Sequence, residues 1–477
     1  MFVGRENELK ILHDALKSES SSFIAVYGRR RVGKTFLIDT AFKNEYFFSV
    51  TGVYPKKKQS EIDQFVYALR NSGANIDKSN YPKKWIDAFY ILQSLITAEK
   101  SCKKKIIFMD ELAWLSAPTS EFISALSGFW NGFASKRNDI VLIVCASAAS
   151  WMTDNIIHNK GGLYQRLTAQ IFLKPFSLGE CEKLSEKMGL NFDRYSILEG
   201  YMALGGIPFY WLKLDASKSM DANLDNLFAG DNAILKNEFS YLYSSLFENS
   251  KPYIDIINVL GHDNISVGLT REEILLKLKI KDGGLFSKHL KELEDCGFIR
   301  HFKRYGQKGK GIFYQLIDNY TLFYYKFLEK GITDNNFFSH SIDLPSRKAW
   351  SGLAFEKVCF SHIEQIKKAI GVAQILNDIS SFSVLGNPEK GIVGSQIDLV
   401  IESRDRTINL CEIKYSNDTY LIDKKYDEIL KRKKSDFVRA TDTKYTIKTT
   451  MITTYGVYDN SYRKNIDHIV TMEDLFK

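Results

Sequence analysis

Ser21–Phe42 reads SSFIAVYGRRRVGKTFLIDTAF. An apolar, β-branched run ends at Tyr27, a glycine-bounded loop follows, and the residues after it have helical spacing, so the stretch predicts strand, loop and helix. The loop Gly28-Arg29-Arg30-Arg31-Val32-Gly33-Lys34-Thr35 fills every position of GxxxxGK[ST]. Its glycines allow backbone N–H groups to turn toward phosphate oxygens. Lys34 would neutralise the β- and γ-phosphates, Thr35 would hold Mg2+, and the following helix presents its positive end. The loop faces phosphate with its backbone, so Arg29, Arg30 and Arg31 are expected to splay into solvent. ATP with Mg2+ is the expected ligand of the first third of the chain.

Two further buried strands carry the rest of that site. KKKIIFMDEL ends in Asp110-Glu111, where an acid at a strand's carboxyl end binds the Mg2+ shell and its neighbour orients the attacking water. DIVLIVCAS ends at Ser147, placed either to sense the γ-phosphate or only to satisfy local backbone. Arg166 reads equally as a phosphate sensor or as an exposed structural arginine.

These residues carry a resemblance. FVGRENEL at Phe2–Leu9, the loop GRRRVGKT, FMDELAWL, CASAASWM, LYQRLTAQIFLKPFS and GGIPFYW resemble the prokaryotic AAA+/STAND-type P-loop ATPases called the archaeal-type ATPase family. The resemblance spans most of residues 1–235. It implies that FVGRENEL helps seat the adenine, that Arg166 belongs to the segment leading into a lid, and that residues 177–214 form that helical lid. Relatives tend to carry glycine and serines at the sensor-strand end. Here it reads Ala146-Ser147-Ala148-Ala149, which leaves Ser147 as the one hydroxyl of that stretch.

The chain has 477 residues, 44% hydrophobic and 26% charged, with a formal net charge of +8. That length suits about three domains, and the modest positive excess is compatible with an anionic partner. The longest apolar run, IVLIVCA, falls short of the roughly 20 residues that span a bilayer, and no signal-peptide pattern opens the chain. A cytoplasmic location without membrane association is expected. Six widely spaced cysteines without a CxxC pair, several in apolar strand patterns, suit reduced, buried thiols rather than zinc or disulfides.

Between Lys251 and Leu316 the pattern runs helix, helix, a turn at Gly283-Gly284, helix, and a basic hairpin, IRHFKRYGQKGKGIFYQLI. This is the order of a winged helix-turn-helix. The hairpin carries Arg300, Lys303, Arg304, Lys308 and Lys310 without an acid, which suits nucleic-acid phosphates. The other reading is a packing module between switch and effector. Base reading would come from the first turn of LFSKHLKELEDCGF, near Ser287, Lys288 and His289.

The last third holds SQIDLVIESRDRTINLCEIKYS at Ser395–Ser416, two strands around a turn near Asp405. If Glu402 pairs with Ile408, Asp398 falls opposite Glu412, and Lys414 shares their face. Opposed like charges destabilise a sheet, so the pair calls for a cation. With Glu356 on the leading helix and the order α-β-β-α-β, the unit resembles the PD-(D/E)XK nuclease superfamily, and the ATPase family above is known for such a C-terminal domain. Asp398, Glu412 and Glu356 would hold Mg2+ or Mn2+ while Lys414 positions the water. The alternatives are a surface Glu412–Lys414 ion pair, or a nuclease-like fold that binds without cutting.

The expected architecture is therefore α/β: a P-loop ATPase core over 1–175, a helical lid over 176–240, a winged helix over 241–330, and a restriction-endonuclease-like domain over 345–477. The expected function is an ATP-hydrolysing switch coupled to DNA binding and metal-dependent phosphodiester cleavage. The alternative is an ATP-gated regulator or scaffold that grips DNA or a protein partner with an inactive last domain. Oligomerisation is compatible with either.

Overall fold

The computed structural model describes residues 2–53, 58–116, 120–159, 161–247, 249–262, 268–306 and 311–477. The chain divides into two units, Met1–Pro175 with Ser245–Glu248, and Phe176–Ser244 with Asn249–Lys477.

The first unit is built on a parallel five-stranded sheet, β1 (Ser22–Tyr27), β2 (Phe48–Thr51), β3 (Lys105–Asp110), β4 (Ile140–Ala146) and β5 (Ala169–Phe172), in the order β2-β3-β4-β1-β5. Strands β3 and β4 are buried at every residue, as expected of central parallel strands covered on both faces, and this is why their sequences are unbroken apolar runs. The outer strands β2 and β5 alternate or are half exposed, and so lack that signature. Helices Lys58–Asn71, Trp85–Ala98 and Phe122–Gly132 bring Phe65, Trp85, Phe89, Phe122 and Phe129 into one core cluster with Phe48 and Leu142. Because β4 lies between β1 and β3, a residue leaving β4 emerges between the phosphate loop and the acidic strand end.

The second unit begins with helices Leu178–Met188 and Arg194–Leu204. Ser177 and Glu180 close the first with a reciprocal capping box, and Asp193 caps the second. Helices Lys251–His262, Arg271–Leu278 and Gly284–Asp295 follow, with a small antiparallel sheet of β6 (Leu269–Thr270), β7 (Ile299–Lys303) and β8 (Ile312–Leu316) in the order β6-β8-β7. Lys308 and Lys310 lie outside the described residues.

The last sheet is mixed, ordered β13-β12-β11-β10-β9, from β9 (Asn377–Val384), β10 (Ser395–Ser403), β11 (Thr407–Lys414), β12 (Thr446–Thr453) and β13 (His468–Val470). Helix Pro345–Ser361 precedes it and helix Lys424–Thr441 links β11 to β12. Two strands exceed the α-β-β-α-β expectation. Strand β9 is an edge strand with a single buried residue, Phe382, so its serine-rich sequence shows no core face. Five of the six cysteines are buried, Cys102 being exposed. No described helix is long and apolar enough to cross a membrane.

Candidate functional site

The phosphate loop leaves β1 at Gly28 and enters helix Lys34–Phe42 through Gly33. Gly28 has φ +145°, and a Cβ there would stand 2.4 Å from the Leu173 carbonyl oxygen, so only glycine fits. Lys34 is buried and donates from Nζ to the carbonyls of Gly28 and Arg29, at 3.0 and 3.1 Å, and to Ser147 Oγ at 3.0 Å. Ser147 Oγ in turn donates to Glu111 Oε1 at 2.6 Å. The Ser147 hydroxyl thus joins the lysine of one strand end to the acid of another. Thr35 Oγ1 donates to Asp110 Oδ2 at 2.8 Å, while Asp110 Oδ1 accepts from the Glu111 N–H at 2.8 Å. Glu111 takes a left-handed φ of 46°, a conformation that costs a non-glycine residue of order 1 kcal/mol and that turns its carboxylate toward Ser147.

The donor set fits Mg2+ and a triphosphate. A buried ammonium faces three neutral oxygens, and a hydroxyl and a carboxylate from different elements already meet where an oxygen-seeking cation would be held. The loop arginines differ from expectation. Arg29 is buried and Arg31 half-buried, with Arg30 alone exposed, because the turn that presents the backbone also folds Arg29 back into the protein. Arg166 is exposed on the segment before β5, outside the Lys34–Ser147–Glu111 network. In FVGRENEL, Arg5 is buried and donates to the Lys174 carbonyl at 2.5 Å.

In the last sheet Glu402 pairs with Ile408 and Leu399 with Cys411. The next step of that register sets Asp398 across from Glu412, and Asp398 Oδ2 accepts the Ile413 N–H at 3.3 Å. The β9–β10 register slips between Ile397 and Val400, a bulge beside Asp398 of the kind that re-aims a side chain.

Glu356 lies on the same cavity as Asp398, but it and the expected lysine have other partners. Glu356 is bonded by its own neighbour, Lys357 Nζ, at 3.0 Å. Lys414 Nζ lies 5.6 Å from the centre of the Tyr426 ring. The ammonium at Glu412 belongs instead to Lys433, which donates to Oε1 and Oε2 at 2.7 Å each. In place of the surface Glu412–Lys414 pair stands a Glu412–Lys433 pair in which Glu412 is buried and Lys433 half-buried. The expected metal ligands Glu356, Asp398 and Glu412 are each engaged by a donor of this chain. Among the described residues no three His, Cys, Asp or Glu side chains are gathered for a metal ion, and the Glu412 oxygens that would chelate one already bind a cation. This donor set does not fit Mg2+ or Mn2+. Burial and Asp398 push the Glu412 carboxyl above its ordinary range, and Lys433 and Lys414 only partly oppose this.

The basic hairpin is also not the free arm expected. Arg300 donates from Nε to Gln315 Oε1 at 2.9 Å, and its guanidinium lies 3.5 Å from the centre of the Phe360 ring. Burial lowers its pKa to about 10 against the pull of Glu356. Arg304 bridges to Ser381 of β9 and lies over Phe313, and the Tyr305 N–H donates to the Ser381 carbonyl at 2.7 Å. Arg300 and Arg304 together with Glu356 and Asp398 line a cavity of about 20 Å³, room for one or two waters. Lys303 is exposed, as are Ser287 and Lys288 in the first turn of helix Gly284–Asp295; His289 is half-buried. Sequence reasoning missed Lys433 and Lys357. Lys433 sits within the run Lys431-Arg432-Lys433-Lys434, and nothing in a run of cations marks the one that turns inward.

Residues 2–214 match the family model described as an ATPase domain predominantly from Archaea. An uncharacterized protein of Methanocaldococcus jannaschii is 25% identical over 427 residues, 87% of this chain and 88% of that protein. An uncharacterized ATP-binding protein of the same organism is 44% identical over 45 residues, 9% of this chain and 76% of that protein. Among solved structures, the Walker-type ATPase of Pyrococcus abyssi aligns with a TM-score of 0.47 at 17% identity, covering 68% of this chain and 96% of that one. The Aeropyrum pernix ORC2 protein aligns at 0.43 and 13%, covering 75% and 95%. Residues 2–214 are an ATPase domain of this archaeal type, and the chain is an ATPase.

Proposed function

We propose that this ATPase is a nucleotide-dependent switch whose second unit binds DNA, with a winged helix over 241–330 and a nuclease-like domain over 345–477. The observation that carries the switch is the Lys34–Ser147–Glu111 chain of hydrogen bonds. An arriving γ-phosphate competes for Lys34, and each shift of that ammonium changes what Ser147 and Glu111 can bond. In this reading Lys34, Thr35 and Asp110 hold Mg2+·ATP, Glu111 orients the attacking water, Ser147 reports the γ-phosphate, and Arg166 acts from the segment leading toward the helices after 177.

The DNA reading rests on exposed basic groups. The first turn of helix Gly284–Asp295 presents Ser287 and Lys288, with Leu285 68% exposed beside them, the part of a third helix that reads base edges in helix-turn-helix proteins. Lys303 adds a phosphate contact; Arg300 and Arg304 are engaged within the protein. Asp398, Glu412 and Lys414 keep the nuclease-like order, but with Lys433 on Glu412 the reading favoured is grip without cleavage. The test is binding of unrelated DNA fragments across salt concentrations, with ATP, with ADP and with neither. A steep negative slope that changes with nucleotide supports the reading. A flat response would favour the second reading, an ATP-gated scaffold for a protein partner, for which the docked hairpin at Ser381 is the specific observation.

A further inference from the structure

We propose that Lys433 is the resident cation of the Asp398–Glu412 face, its ammonium standing in the last sheet in place of a divalent metal ion. The contact is two-pronged. Nζ donates to both Glu412 oxygens at 2.7 Å, so it sits on the side of the carboxylate that a chelated ion would take. A divalent ion bound to the same two oxygens at roughly 2.0–2.6 Å would overlap the ammonium and repel it. Displacing Lys433 is costly because the pair is largely desolvated, with side-chain exposures of 19% for Lys433 and 3% for Glu412.

The surrounding charges complete the substitution. Asp398 turns one oxygen to the Ile413 N–H. Glu356 has its own ammonium in Lys357, whose side chain is fully buried. Each of the three acids that would form a metal shell is thus served by a donor of this chain. Burial first, and then Asp398, raise the Glu412 carboxyl against the opposing pull of Lys433 and Lys414. Taking Lys433 away therefore leaves two carboxylates that repel and a vacancy that a divalent ion fills. The inference concerns how the face is neutralised and does not depend on whether the second unit binds DNA.

Mn2+ is the probe. The full chain is prepared free of nucleotide and carrying Thr35→Ala and Asp110→Asn, so that the ATP site takes no metal, and free Mn2+ is followed by electron paramagnetic resonance up to millimolar concentration. The chain with Lys433 should show no saturable site. The same chain with Lys433→Met should bind about one Mn2+, and adding Asp398→Asn should abolish that site. A saturable site in the Lys433 chain that Asp398→Asn removes would overturn the proposal. So would the absence of a site in a Lys433→Met chain whose circular dichroism shows it folded. If that variant does not fold, Lys433→Gln takes its place under the same two criteria, and the Lys433 chain on its own still decides against the proposal if it binds.

Discussion

Replacing Lys433 by methionine keeps most of the apolar stem and removes the charge, leaving Glu412 buried against Asp398 with the Tyr426 hydroxyl, 3.5 Å from Oε2, and the opposing charge of Lys414. Removing one partner of a buried pair costs about 3–5 kcal/mol. At roughly 2 °C per kcal/mol for a large domain, the melting temperature should fall by about 6–10 °C at neutral pH. The cost depends on pH in a definite direction. Glu412 already holds its proton more tightly in the folded chain than an ordinary glutamate does. Its contribution is therefore most favourable below the unfolded pKa of about 4.3 and is lost as pH rises through the raised folded value. Without Lys433 that value rises further. The deficit of Lys433→Met should be largest in mildly alkaline buffer and shrink toward the ~1 kcal/mol of a lost hydrogen bond as acid protonates Glu412. Pairing the change with Glu412→Leu should restore most of the stability, because an apolar pair leaves no buried charge. Thermal melts of the parent, the single and the double variant between pH 5 and 8 provide the comparison. A deficit under about 1 kcal/mol that is the same at every pH would place the pair in solvent and refute the reasoning.

Lys34→Ala should abolish ATP binding, whereas Glu111→Gln should retain ATP and lose turnover by about 10²–10⁴; nucleotide titration beside phosphate release separates the two. Ser147→Ala should lower kcat by about 10- to 100-fold, since Glu111 then keeps only the 3.4 Å contact to the Ser147 N–H; an unchanged kcat would return Ser147 to a strand-end role. Lys288→Ser with Lys303→Ser should reduce the magnitude of the log K against log salt slope for DNA by up to about 1.8. Arg300→Met should instead lower thermal stability by about 1–3 kcal/mol, through loss of its Phe360 and Gln315 contacts. Glu199, whose pKa burial and Asp221 raise to about 7 against the pull of Arg347, should make the second unit lose stability as pH rises from the ordinary glutamate range to 7. Glu199→Gln should flatten that part of the stability profile.

Local chemistry made the first unit legible. A phosphate loop has to have its glycines and its lysine at fixed spacing within one short loop, and a doubly covered parallel strand has to be apolar throughout, so Gly28, Lys34, β3 and β4 announce themselves in order along the chain. The Asp398–Glu412 register was legible for a similar reason: a short turn and period-two alternation leave one pairing that buries Ile397, Leu399 and Ile401. What the tertiary structure alone decided is which charges meet. Ser147 is a strand-end hydroxyl until β4 is inserted between β1 and β3 and brings it within bonding distance of both Lys34 and Glu111. Lys433 is one cation of four in a row until helix Lys424–Thr441 packs on the sheet and turns it onto Glu412. Arg300 is one of the hairpin's basic residues until Phe360, 60 positions later, supplies a ring for it. Sequence patterns record spacing along one element, whereas an ion pair or a ring contact between elements depends on the packing angle and depth of both, which no local periodicity carries.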